Sequence, residues 1–212
     1  MVLEELKESL DKMYSICDMV GEKGLRPALD LEEDFEYSRI IKIDLIRFMS
    51  YIAVSDGVLS WKECHLMSSL FDMNLNPQKI KEFIEENNIY SDEFETSIPI
   101  TLRIFVAFDN AAYTTGIDLG SELGDSLVKL YVCIAQAMFQ INGKDPEDMD
   151  ESEKAGIEKF LNSMQKFIDD ETESHHTDLI VDLKKATKNN KHVDSTIRKD
   201  GAKQAVRAPK KK

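Results

Sequence analysis

No stretch of this chain approaches the ~18 consecutive apolar residues that a membrane-spanning helix needs, so no helical span is read from it. Cysteine is scarce: Cys17, Cys64 and Cys133 sit in apolar contexts at no metal-ligand spacing. An odd, scattered set argues against a disulfide scaffold or a zinc cluster and is expected to lie in the core of a protein from a reducing compartment. Sustained alternation of β-branched residues is missing, so no segment requires a strand. There is no glycine-rich phosphate loop and no nucleophile-elbow serine. Of His65, His175, His176 and His192 only His176 follows a Glu, Glu173, at Glu-x-x-His spacing, whereas carboxylate-bridged two-metal sites use that pair on each of two helices. The opening MVLEELKESL places acids where a signal peptide needs positive charge, which makes a cytoplasmic location the expectation.

What is present is an acidic, core-forming chain. Its 212 residues are 42% hydrophobic, enough for one or two compact domains. The formal net charge of -13 is unevenly spread: from Lys184 onward 11 Lys or Arg face only Asp194 and Asp200, giving +9 and leaving -22 on residues 1–183. So acidic a body repels nucleic acid and attracts cations or basic partners. The basic end contains no aromatic residue for base stacking, so no specific nucleic-acid recognition is read from it. Its electrostatics alone fit a polyanion or an anionic membrane surface.

Apolar spacing of three and four lays out the helices. Leu3, Leu6, Leu10, Met13, Cys17 and Val20 mark a first helix ending near Gly21. A second runs from Glu36 to about Ser55, and a third starts at Ser60 with Glu63 three residues on, the pattern of a capping box. Asn76-Pro77 opens a fourth helix. Pro99 opens a fifth, ITLRIFVAFDNAAY, apolar nearly all round and so expected to be buried. A sixth is read from Leu127 to Ile141 and a seventh from about Glu151 to Asp169, with TDLIVDLKKA as one further short helix before a lysine-rich, flexible tail. The expected fold class is all-α, a bundle of about seven helices, with a domain over 1–174 and the short helix plus basic tail over 175–212.

An internal echo is visible between residues 36–73 and 122–164. Setting Asp56-Gly57 on Asn142-Gly143 places Phe48, Met49 and Ile52 opposite Ile134, Ala135 and Met138. After four extra residues in the second copy, Ser60 and Glu63 fall on Asp150 and Glu153. Two amphipathic hairpins look alike whenever the 3.6-residue period governs both, so the echo counts only through the glycine, the cap and the acid that recur with it. The segment IAVSDGVLSWKE resembles the signature of the TerB-like, tellurite-resistance family, over about residues 36–170, with MFQINGKDPEDMDESEK as a looser second copy. That resemblance implies an all-helical bundle with an acidic surface, a divalent-metal role and a place in stress- or envelope-linked systems.

The stretch SDGVLSWKE also raises a calcium-loop reading, with Gly57 at the sixth position of a twelve-residue loop, Asp56 at the fifth and Glu63 at the last. Ile52 and Val54 would then occupy the first and third positions, where apolar side chains supply no oxygen, so an encircling EF-hand is excluded. A shared acidic site remains as a candidate for calcium or magnesium, formed by Asp56 and Glu63 with Asp145, Asp148, Asp150 and Glu153, since like charges so close need a counterion. The competing reading is helix stop and start: Asp56-Gly57 ends one helix while Ser60 and Glu63 cap the next.

Asp109 in the apolar IFVAFDNAAY run is costly unless paired, and Arg103 or Arg47 is the expected partner, with a partner-binding role as the alternative. Trp61, on the first turn of the third helix, is a candidate anchor for a protein partner or a cover for the loop. The expected function is a non-enzymatic interaction or scaffold module responsive to a divalent cation. Its rivals are a carboxylate metalloenzyme using Asp56, Glu63, Asp109 and Glu153, and a basic-tailed adaptor for a polyanion or anionic membrane.

Overall fold

The computed structural model describes residues 2–22, 36–55, 59–89, 92–141, 143 and 151–174. Among these every regular element is a helix: α1 (Val2–Glu22), α2 (Tyr37–Ser55), α3 (Trp61–Phe71), α4 (Pro77–Glu86), α5 (Asp92–Glu95), α6 (Ile100–Thr115), α7 (Leu123–Ile141) and α8 (Glu151–Ser174). Seven have ten or more residues, and α5 is a single turn. The all-α bundle read from the periodicity is therefore the observed fold.

The apolar stripe of α1 is buried as its spacing requires: Leu6, Leu10, Met13, Cys17 and Val20 all enter the core. Each such burial contributes about 1.5–3 kcal/mol before the cost of ordering the chain. α1 lies against α7, α3 and α2. α2 runs through the centre, with Ile41, Leu45, Phe48 and Met49 almost wholly out of solvent, and it touches α1, α3, α4, α6, α7 and α8. The apolar helix α6 packs on α2, α7 and α8, with Leu102, Ile104, Phe105, Val106 and Phe108 buried.

An aromatic stack holds the middle together. Phe160 of α8 lies 5.0 Å from Phe48 of α2 and 5.3 Å from Phe94 of α5, both stacked, and Tyr131 of α7 closes on Phe48 at 4.9 Å. These are offset geometries in which ring quadrupoles attract. One glycine is required by this packing: at Gly124 a Cβ would come within 3.1 Å of Val106 and 3.3 Å of Ile168, so its absence lets α6, α7 and α8 converge.

Helix ends follow local chemistry where the cap lies in the adjoining sequence. Ser60 caps α3, Asn76 accepts the Lys79 N–H at 3.0 Å ahead of Pro77 in α4, and Gly116 (φ 69°) ends α6 in the left-handed conformation that favours glycine. Three sequence expectations are corrected. α7 begins at Leu123 rather than Leu127, and α8 continues past Asp169 to Ser174. Cys133 is exposed on α7, whereas Cys17 and Cys64 are buried as expected. The short helix and basic tail over 175–212 lie outside the described residues, as does the loop holding Asp56-Gly57.

The echoed helix positions have similar burial: Phe48, Met49 and Ile52 are buried, and so are Ile134, Ala135 and Met138. Any two core-facing hairpins of period 3.6 give this agreement. The features that would distinguish a duplication, the two acidic loops, fall outside the described residues.

Candidate functional site

The opening of α3 is built from three residues with different tasks. The Ser60 N–H donates to Glu63 Oε2 at 2.7 Å, and the Glu63 N–H donates to Ser60 Oγ at 3.2 Å, a complete capping box. Glu63 is only 2% exposed. Its carboxylate is thereby committed to the helix start, beside the positive end of the helix dipole. Between these two partners Trp61 points outward and is 72% exposed. Its i,i+4 neighbour His65 is exposed as well and shares that face. Behind it Cys64 is buried, and burial first, then the Glu63 charge, pushes its thiol up to about 11, so it carries no nucleophilic thiolate at neutral pH.

Of the six carboxylates read as cation ligands, Glu63 alone has a described side chain. Asp56, Asp145, Asp148 and Asp150 lie outside the described residues, and Glu153 is placed as a residue of α8 with its side chain outside them. Among the described residues no group of three His, Cys, Asp or Glu is placed to hold a metal ion.

Asp109 is half-buried on α6, but its partner is not the expected arginine. Oδ1 accepts the Leu123 N–H and Oδ2 the Gly124 N–H, each at 2.9 Å. Asp109 thus caps α7 from a neighbouring helix, which is why that helix starts four residues earlier than its apolar period announces. Arg103 instead lies over the Phe167 ring at 5.5 Å and Arg47 over Phe94 at 5.7 Å. Burial raises the Asp109 carboxyl, the two N–H donors lower it, and Glu122 and Asp125 raise it again, leaving it at about 6.

A second deeply buried carboxylate was missed in the sequence. Asp44 of α2, 4% exposed, accepts both the N–H and the hydroxyl of Thr101 through Oδ2, at 2.8 Å each. α6 has Pro99 at its N-cap position with no side-chain cap, and Asp44 supplies one across the bundle. Burial pushes its carboxyl up, against the lowering pull of Thr101, Arg47 and the Ile100 N–H. The signal was legible: an acid within the apolar run IIKIDLIRFM is the same anomaly that singled out Asp109. Nearby, Tyr51 donates to Glu95 Oε1 at 2.8 Å while Lys159 reaches Glu95 Oε2 at 3.0 Å, pinning the single turn α5 to α2 and α8.

The described carboxylates that draw attention in the sequence are thus helix-capping groups, and the large apolar side chains left exposed among the described residues are Trp61 and, at the end of α6, Tyr113, each 72% exposed. No described helix is long and apolar enough to cross a membrane. Comparison with known proteins finds no matching family model, no matching curated protein and no matching solved structure.

Proposed function

We propose that this chain is a non-enzymatic interaction module of TerB-like character, serving a stress- or envelope-linked system, with Trp61 as the anchor of its protein contact. The observation that carries the reading is a tryptophan 72% exposed on the first turn of a helix whose start is locked by a capping box. Tryptophan is large, loses little side-chain entropy on binding and is enriched where interfaces concentrate their energy. Presented on a fixed helix start, it meets a partner with little ordering cost. The acidic body favours a basic or amphipathic partner surface.

In the same reading Asp56, Asp145, Asp148, Asp150 and Glu153 are the carboxylates brought to a calcium or magnesium ion, which sets the angle between the hairpins and so the exposure of Trp61. The metalloenzyme alternative is less favoured because Glu63 and Asp109 are engaged by backbone N–H groups.

Trp61 is the sole tryptophan, so its fluorescence is a private reporter. The expected result is that a photo-crosslinker at position 65, on the same exposed face, captures a discrete partner from the native cell, with capture lost when Trp61→Ala is added and kept when Tyr113→Ala is added. Undiminished capture by Trp61→Ala overturns the anchor. Unchanged emission and melting temperature at millimolar calcium or magnesium overturn the cation arm alone.

A further inference from the structure

Among the described residues, three polar atoms at the aromatic centre of the bundle are buried without a hydrogen-bond partner: Asp44 Oδ1, Arg47 Nε and Tyr131 Oη. Asp44 and Tyr131 are 4% and 0% exposed. Asp44 and Arg47 stand one turn apart on α2, and both charges act on the Tyr131 hydroxyl of α7. Its pKa is raised chiefly by burial, then by Asp44, and is eased by Arg47. The rings place them together: Tyr131 lies 4.9 Å from Phe48, one turn beyond Asp44 on α2. Arg47 lies over Phe94, which stacks at 5.3 Å on the Phe160 ring beside Tyr131, so the three groups adjoin one aromatic cluster from two helices.

Each is anchored from another side. The Asp44 carboxylate is fixed through Oδ2 by the two bonds from Thr101. The Tyr131 ring is wedged between Phe48 at 4.9 Å and Phe160 at 5.8 Å, and the Arg47 guanidinium lies over Phe94. Buried polar groups are satisfied by protein or by ordered water in the great majority of folded structures.

The donor and acceptor count selects the ligand. Arg47 Nε–H and Tyr131 Oη–H are donors, and Asp44 Oδ1 is an acceptor. A water accepts two hydrogen bonds with its lone pairs and returns one to the carboxylate, which matches the usual two to four partners of an internal water. Arg47 disfavours a metal cation, and Asp44 disfavours an anion. We propose that Asp44 Oδ1, Arg47 Nε and Tyr131 Oη bind one long-lived internal water that ties α2 to α7. This joint is independent of any partner at Trp61.

The test is made on the full chain. A crystal structure with ordered solvent is expected to show a single peak within hydrogen-bonding distance of all three atoms, and solution NMR a cross-relaxation peak between water and Arg47 Hε. In Tyr131→Phe the water loses one of its three partners, and that peak is expected to weaken severalfold. A Tyr131 hydroxyl bonded directly to Asp44, or a wild-type protein with neither the density nor the peak, overturns the proposal. Should Tyr131→Phe not fold, the two wild-type measurements decide it.

Discussion

One oxygen of Asp44, Oδ2, takes both the backbone N–H and the hydroxyl of Thr101, 57 residues further along the chain, at 2.8 Å each. A carboxylate on the central helix thus starts a helix that has no cap of its own. Removing it leaves the first N–H groups of α6 buried and unpaired and strands Arg47 as a half-buried charge. Asp44→Ala is expected to cost about 2–4 kcal/mol, and Thr101→Val, which removes one of the two bonds, about 1 kcal/mol. Urea denaturation of both variants checks the order: equal losses, or a loss below ~1 kcal/mol for Asp44→Ala, would contradict the capping role.

Asp109 repeats the arrangement at α7 with a measurable pH signature. Its folded pKa, about 6, lies above the ordinary 3.8, so the native state binds a proton that the unfolded chain releases. The stability it contributes is fully present below pH about 4 and is lost as pH rises through about 6. Relative to Asp109→Asn, the wild type should gain on the order of 2 kcal/mol as pH falls from about 7 to about 4. A difference between the two that does not change with pH would remove Asp109 as the titrating group.

These two caps also explain what was and was not legible in the sequence. The start of α3 is correct to the residue because Ser60, Glu63 and the helix they cap are neighbours. α7 starts four residues ahead of its apolar stripe because its cap comes from Asp109, outside any local window. α5 escapes notice because four residues carry no period, and its place depends on Tyr51 and Lys159, each more than forty residues away. Cys133 looks like a core residue because it follows Leu130, Tyr131 and Val132 in sequence, yet the helical turn faces it outward. The candidate site divides the same way. Trp61 stands out in the sequence as the sole tryptophan, whereas Asp44 required knowing which helix start lay opposite.

Glu63 has two readings that one substitution separates. As a capping-box residue it needs an oxygen facing the Ser60 N–H, and glutamine supplies one. Glu63→Gln is therefore expected to hold stability within about 0.5 kcal/mol of wild type, and Ser60→Ala to lose about 1 kcal/mol. If Glu63 were instead a ligand whose charge a cation needs, Glu63→Gln would abolish any cation-dependent rise in melting temperature. Calorimetry with and without calcium distinguishes the two results.

Gly156 is where the pinned turn α5 is most sensitive. A Cβ there would run into the Tyr51 hydroxyl and come within 3.1 Å of Glu95 Oε1. Tyr51 cannot yield easily, because its ring rests against Phe94 at 5.0 Å and its hydroxyl is spent on Glu95. Gly156→Ala should therefore break the Tyr51–Glu95 bond and lift α5 from α8, at a cost of about 2 kcal/mol although alanine is the better helix former by ~1 kcal/mol. Glu95 is held below the ordinary carboxylate range by the Tyr51 hydrogen bond first and the Lys159 bond second. Its contribution is accordingly present above the unfolded pKa and lost as pH falls through the folded one. Lys159 is half exposed, so Lys159→Ala should cost under ~1 kcal/mol. Combining Gly156→Ala with Tyr51→Phe gives the decisive number: without the hydroxyl the clash is relieved, so the double variant should be no less stable than Tyr51→Phe alone. If the two costs simply add, the strain lies elsewhere in α8 and not at this contact.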